Sequence, residues 1–340
     1  MRQFLTAIIC LLSFACSRHS VSAKAVLGVH ILHPAEITEA GDLLKTQHNQ
    51  EQWTYVTLPL SLDDLNKHDE WQAAFDRAAQ LKINPIVRLV SRFDSEHNCW
   101  AIPTRGEIIS YFNFLNTLTW PHEHRFVIIF NEPNHFSEWG GSANPDTYAE
   151  VLSFAADWAH TETAHYSVLP AAMDLAAPDG PTTMEAFNFL TRMLDSRPDI
   201  FSKIDYWNSH SYPNPGFSSS PTRTGQNSLR GFEHELAWLH DKTGLDMRVF
   251  ITETGWEENA STKGRLESYY AYANDHIWSD ERIVAVTPFV LKGDPGPFSK
   301  FTLIDKDGNL KTQYHAYAQQ IAKNALQDYQ ERERIEIASF

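Results

Sequence analysis

Cysteine is nearly missing from this chain. Three occur in 340 residues, and two of them, Cys10 and Cys16, fall in the apolar N-terminal stretch. Cys99 is left alone, so the body of the protein has no internal disulfide and must be held by its core. That argues for a large domain and excludes a small stapled module. Basic charge is also short: 28 Lys and Arg face 43 Asp and Glu, a formal net charge of −15. A nucleic-acid footprint is therefore excluded as a partner surface, and an anionic membrane surface would repel the chain. A strongly acidic polysaccharide is disfavoured too, unless a local basic cleft overrules the total. No run is long enough for a membrane span: Phe4 to Cys16 offers about 13 apolar residues against the roughly 20 required.

Several chemical signatures are missing as well. Gly28-Val29-His30-Ile31 is not a glycine-rich phosphate turn, which counts against a nucleotide-binding open sheet. There is no Gly-x-Ser-x-Gly elbow of an α/β-hydrolase. His122 and His124 stand too close for a helix-face metal pair, and His234 and His240 are six apart rather than four, so no zincin motif exists. Asp305-Lys306-Asp307-Gly308-Asn309 lacks the distal Glu of a calcium loop and reads as a hairpin turn. No metal and no cofactor is expected. No linker, repeat or low-complexity stretch interrupts the chain.

What is present begins with a targeting segment. Arg2, the apolar run and the small residues Val21-Ser22-Ala23 read as a signal peptide over residues 1–23. Its removal takes Arg2 and Arg18 but no acid, moving the charge from −15 to −17. The expected location is secreted or periplasmic; a lipoprotein anchored at Cys16 is the alternative, on a poor lipobox. The whole chain is 42% hydrophobic and 12% aromatic, enough for one large domain. Strand and helix patterns alternate from residue 25 to about 325. Arg125–Phe130 is a short, wholly buried type of run. Trp71, Ala74, Phe75 and Ala78 share one helical face. Asn144 caps a helix with Pro145 in its first turn. Eight strand patterns, each followed by a helix-sized segment, predict an α/β chain folded as one (β/α)8 TIM barrel over residues 24–328, with a charged tail at 329–340. A doubly wound open sheet is the runner-up. A monomer is expected.

In such a barrel the chemistry sits at the C-terminal strand ends. After the fourth strand comes Asn131-Glu132-Pro133-Asn134. After the sixth comes His210-Ser211-Tyr212-Pro213. After the seventh comes Glu253-Thr254-Gly255-Trp256. Polar groups placed there are costly unless used or paired. Two carboxylates facing one another across a barrel mouth suit glycosidic cleavage, where one protonates the leaving oxygen and the other attacks the anomeric carbon. Either Glu alone could equally be a buried acid satisfied by an Arg or by amides. Arg88, at the end of the third strand, could lower the pKa of Glu253 by its charge, or be a salt bridge within the barrel.

The motifs Ile129-Phe130-Asn131-Glu132-Pro133, Asn208-Ser209-His210-Ser211-Tyr212 and Ile251-Thr252-Glu253-Thr254-Gly255-Trp256 resemble those of the clan A glycoside hydrolases, which include family 5 cellulases and mannanases and the family 39 enzymes. The resemblance implies a retaining glycoside hydrolase, an endo-β-glycanase acting on β-linked poly- or oligosaccharide. It implies Glu132 as acid/base, Glu253 as nucleophile, Asn131 on the sugar 2-hydroxyl, Tyr212 holding the nucleophile and His210 in the same network. One departure is visible: many members carry a Trp near the end of strand eight, where this chain reads Val286-Thr287-Pro288-Phe289-Val290-Leu291. Trp139, Trp256 and Trp100 are candidate sugar platforms, each equally able to be an indole packed under a loop. His30, ending the first strand, could bond a sugar hydroxyl or be a core histidine. A carbohydrate-binding pseudoenzyme would not need both glutamates; a transglycosylase would keep both. Sugar and linkage stay open, β-1,3 included, because Glu-Thr-Gly-Trp also occurs in β-1,3-glucanases of the clan.

Overall fold

The computed structural model describes residues 25–45 and 52–338, with side chains to 334. The predicted signal peptide and lipobox lie outside the described residues. Eight parallel strands surround the core. They are β1 (Val26–Leu27 and Val29–His30), β2 (Thr54–Ser61), β3 (Ile83–Val90), β4 (Arg125–Ile129), β5 (Tyr166–Pro170), β6 (Trp207–His210), β7 (Val249–Glu253) and β8 (Ile283–Val286). The helices α1 (Ile37–Leu44), α2 (His68–Gln80), α3 (Arg105–Thr117), α4 (Pro145–Thr161), α5 (Ala186–Ser196), α6 (Gly231–Thr243), α7 (Leu266–His276) and α8 (Thr312–Ala338) follow them in turn.

The ladder closes on itself. β1 pairs with β2 through Val29↔Val56 and with β8 through Val26↔Ala285. The chain of neighbours then runs β2–β3–β4–β5 on one side and β8–β7–β6 on the other. The β5–β6 seam is made by Asp205 N donating to Val168 O at 2.9 Å, Asn208 Nδ2 to Pro170 O at 3.0 Å and a parallel bridge between Asp174 and His210. The predicted (β/α)8 barrel is the fold.

Gly28 splits β1 because no side chain fits there. A Cβ would lie 2.2 Å from the Tyr55 carbonyl oxygen. Two cores follow from strand alternation. Ile86, Phe126, Ile128, Leu169, Phe250 and Ala285 fill the barrel lumen. Their chain neighbours Val87, Val127, Val168, Ile251 and Val286 face the helices. Asn144 caps α4 as its sequence suggests, its Oδ1 accepting from Thr147 N at 3.2 Å.

One boundary differs. The expected charged tail from 329 continues α8 to Ala338. Its residues are mostly good helix formers, and spaced pairs such as Tyr329–Glu333 (2.7 Å) and Glu331–Arg334 (3.7 Å) line its surface.

Candidate active site

Strand alternation alone does not deliver Glu253 to the lumen. Along β7, Phe250 faces inward and Ile251 outward, so Glu253 should face outward as well. The register prevents this: Ile251 pairs with Ser209 but Glu253 with His210. The extra residue, Thr252, is a bulge that turns Glu253 into the mouth. At the end of β4 it is Phe130 and Asn131 that depart from alternation, which would turn Phe130 in and Asn131 out after the inward Ile128. Phe130 (φ +68°) and Glu132 (φ +30°) lie in the sparsely allowed left-handed region on either side of Asn131. Phe130 packs outward against Tyr111 and Trp139, and Asn131 and Glu132 line the mouth. The Tyr148 hydroxyl of α4 steadies the turn by donating to Ile129 O (3.0 Å) and accepting from Ala171 N (2.6 Å).

The mouth is a cavity of about 250 Å³ that contains both glutamates. Arg88 Nη1 donates to Glu253 Oε1 at 2.6 Å and to Asn131 Oδ1 at 2.7 Å. The Tyr212 hydroxyl donates to Glu253 Oε2 at 3.1 Å. His210 Nδ1 lies 2.7 Å from Glu132 Oε1 and 3.7 Å from Glu253 Oε2, bridging the pair. Carboxylate oxygens of Glu132 and Glu253 and a ring nitrogen of His210 all lie within 4.8 Å of one another. The Glu132 side chain is 22% exposed and that of Glu253 11%, so Glu132 is the more open to an incoming group.

Electrostatics keeps Glu253 ionised. Burial alone would raise the carboxyl of Glu253, but the charges of His210, Arg88 and His30 and the Arg88 hydrogen bond outweigh it and hold the pKa near 2. His210 is pulled down by burial and pushed up more strongly by Glu253 and Glu132, so it rises above its ordinary value. His30 is held down at about 3, first by burial and then by Arg88. Two carboxylates and an imidazole so close are also a possible ligand set for a cation. Arg88 on Glu253 and the His210 bond to Glu132 already occupy those donors, and a guanidinium on the ligand would repel an ion. The set fits a proton-handling site better than a metal centre.

The structure thus brings Glu132, Glu253, Asn131, His210, Tyr212 and Arg88 together, and leaves three expected contacts out. Trp139 is fully buried; its Nε1 donates to Thr147 Oγ1 at 2.9 Å and its ring meets Tyr148 edge-on. Trp256 is fully buried beneath the mouth loops, with its Nε1 on Ser219 O at 2.9 Å and its ring against Tyr269 and Tyr270. Neither is a sugar platform: each indole is consumed in packing the loop that follows its strand. His30 is fully buried too, its Nδ1 3.2 Å from Thr252 O and 3.8 Å from Glu253 Oε1. It sits beneath Glu253, buried away from the open mouth. Of the indoles beyond strand ends, Trp100 alone of the three borders a hollow.

Other groups escaped the sequence. The mouth has an apolar wall of Leu32, Phe217, Phe289, Phe298 and Phe301. Phe289 stands where the expected Trp is missing, with its ring centroid 5.0 Å from that of His30 and 4.9 Å from Phe298. An aromatic at that position was readable, and Leu32 closes the first apolar run; Phe217, Phe298 and Phe301 come from loops with no strand-end signal. Asp174 is paired with His135 Nε2 at 2.8 Å. Glu138 accepts from Asn131 Nδ2 at 3.3 Å.

A closed parallel barrel with two carboxylates at its C-terminal mouth is the architecture found in many sugar-cleaving enzymes. Solved structures of such enzymes share the fold. An endo-β-1,4-glucanase triple mutant from Xanthomonas axonopodis pv. citri matches at a TM-score of 0.57 and 16% identity, over 88% of this chain and 99% of that one. A glucosidase from Croceicoccus marinus matches at 0.63 and 12%, over 89% and 68%. An endo-1,4-β-mannanase from Rhizomucor miehei matches at 0.53 and 11%, over 89% and 95%. No protein-family model and no curated protein matches the sequence.

Proposed function

We propose that this protein is a retaining β-glycosidase of clan A acting on β-linked poly- or oligosaccharide. The observation that carries the reading is the closeness of Glu132 and Glu253, with carboxylate oxygens within 4.8 Å. Retaining enzymes hold their carboxyl groups about 5–5.5 Å apart, whereas inverting ones leave about 6.5–9.5 Å for a water. In the first step Glu132 gives its proton to the glycosidic oxygen as the Glu253 carboxylate bonds to the anomeric carbon, and the leaving sugar departs with its hydroxyl. In the second, Glu132 takes a proton from water, whose oxygen bonds to the anomeric carbon and displaces Glu253 as the carboxylate, leaving Glu132 protonated again. Arg88 and Tyr212 hold one oxygen each of Glu253, which keeps it ionised and aimed. Asn131, fixed by Arg88, is left to meet the 2-hydroxyl.

Azide distinguishes the roles. With an aryl glycoside bearing a good leaving group, Glu132→Ala should accumulate the glycosyl-enzyme, and azide should restore turnover and give the β-glycosyl azide. Glu253→Ala should instead give the α-azide, since azide enters from the face the carboxylate vacates. The same anomer from both variants, or rescue of neither, would overturn the assignment. Export belongs to the same reading: the mature protein recovered outside the cytoplasm should begin at Lys24, and an N-terminus at Cys16 carrying lipid would refute that cleavage site.

A further inference from the structure

A second hollow of about 230 Å³ adjoins the mouth. Arg88, Asn131, Glu138 and Phe298 line both hollows. Either alone falls short of the roughly 300–1,000 Å³ of an ordinary ligand site, and together they reach it. Glu132 and Asp174 line only the first. Asn131, next to Glu132, and Arg88, bonded to Glu253, line both, so the second hollow opens directly off the mouth.

Its far wall is Trp100. Phe93 and Trp100 face each other across a two-stranded hairpin, their rings edge-on at 5.2 Å, and Phe93 is 46% exposed. The hairpin is pinned to the loop that carries Glu138: Gly140 N donates to Trp100 O at 2.7 Å. Gly140 has φ +59°, and a Cβ there would lie 2.6 Å from Ile102 Cγ1, so the two loops approach closely only because this residue is glycine. The indole and the carboxylate are therefore placed together. Among the described residues, every other acid of the mouth has a basic partner: Glu253 has Arg88, Glu132 has His210 and Asp174 has His135. Glu138 has only the amide of Asn131.

Resting on the glycosidase reading, we propose that this hollow is a further sugar subsite, in which Trp100 stacks an uncharged pyranose and Glu138 accepts its hydroxyls and turns away uronic acids. An indole face matches the apolar face of a sugar ring, and an unpaired carboxylate in a half-closed cleft satisfies hydroxyl donors and repels a second carboxylate. Burial, with the charge of Glu132 in second place, raises the carboxyl of Glu138, as expected of an acid whose partners arrive with the ligand. The proposal makes the enzyme a binder of chains longer than the bond it cuts.

The test uses the full chain with Glu253→Gln, which cannot turn over, in affinity electrophoresis through barley β-glucan, laminarin, glucomannan, galactan and xylan. At least one neutral polymer should retard it. Adding Trp100→Ala should weaken that retention by roughly tenfold, the scale of one good aromatic contact. The carboxylated counterpart (the C6-oxidised polymer, or glucuronoxylan for xylan) should bind roughly tenfold more weakly, and Glu138→Gln should narrow that gap several-fold. Thermal melts confirm that each variant is folded. No retardation by any polymer, unchanged binding in Trp100→Ala, or equal binding of the carboxylated form overturns the subsite. Reducing-end release by the unmutated enzyme is scored separately. Retention that responds to Trp100→Ala without any hydrolysis fails the glycosidase reading and keeps the subsite; hydrolysis without a Trp100 effect does the reverse.

Discussion

Arg88 has two tasks on one nitrogen, bonding Glu253 Oε1 and Asn131 Oδ1 at once. Its charge is among the causes that bring Glu253 to about 2. Replacing it by Met removes that charge, so the carboxyl of Glu253 should rise by about one unit or more, the usual effect of an adjacent opposite charge. In the proposed role Glu253 must be ionised, so activity should then be lost at a higher pH than in the unmutated enzyme. The measurement is kcat/KM against pH on an aryl glycoside; an acidic limb that stays in place would show that Arg88 does not set the ionisation of Glu253. Asn131 should lose its orientation in the same variant, lowering kcat/KM at every pH. Neither role could be read from Arg88 as a letter, because the same residue could have served as a plain salt bridge.

At the scale of elements, α6 and β6 meet through a buried acid. Glu235 on α6 accepts from Ser209 Oγ on β6, and Ser209 Oγ lies 2.8 Å from Ser211 Oγ, which accepts from Phe232 N at 2.9 Å. Burial raises the pKa of Glu235 to about 7 despite the Ser209 bond. The sign follows from linkage: a folded pKa above the unfolded value of 4.5 means the contribution is whole below pH 4.5 and is lost as pH rises through about 7. The amount is on the order of 3 kcal/mol, since each unit is worth about 1.4 kcal/mol. Glu36, buried after β1, is raised to about 7 in the same way. Glu235→Gln should therefore flatten, without abolishing, the fall in thermal midpoint between pH 5 and pH 8, the part due to Glu36 remaining. A variant with the same pH slope as the parent would place Glu235 outside the titration. Because Ser209 precedes His210 directly, the same element fixes the histidine that bridges the glutamates.

For the whole molecule the decisive event is closure of the barrel. The Tyr317 hydroxyl of α8 donates to Gly28 O at 2.7 Å and reaches Val286 O at 3.5 Å. One side chain thus joins the last helix, the first strand and the last strand. Tyr317→Phe should cost about 1–3 kcal/mol, the penalty for stranding a buried carbonyl, in chemical denaturation. Its kcat/KM should stay near that of the parent, because Tyr317 lies away from the mouth. Gly28→Ala is a harsher probe of the same seam. Its Cβ would meet backbone at 2.2 Å, so the strand must move and the loss should exceed that of Tyr317→Phe, to the point of little soluble protein. A Gly28→Ala melt equal to the parent would contradict the packing of β1 described above.

The sequence by itself determined the barrel and which strand ends bring polar groups to its mouth. Alternating periods and short, wholly apolar runs are local signals, and buried strands followed at once by Asn131-Glu132, His210 and Glu253 stand out because polar groups there cost free energy unless paired. It could not determine which way those side chains face. Simple alternation sends Glu253 outward; only the bulge at Thr252, set by pairing with β6, brings it in. The left-handed turn around Asn131 is likewise held by Tyr148 from another helix. Nor could it sort the indoles. Trp139 and Trp256 follow strand ends as Trp100 does, yet two are buried under loops and one borders a hollow. Exposure is a property of what packs on top, and that is settled by how the following loop and helix fold back, as Thr147 and Tyr148 do on Trp139. The carboxyl of Glu253 is held near 2 by His210, Arg88 and His30, brought together from β6, β3 and β1 only when the barrel closes.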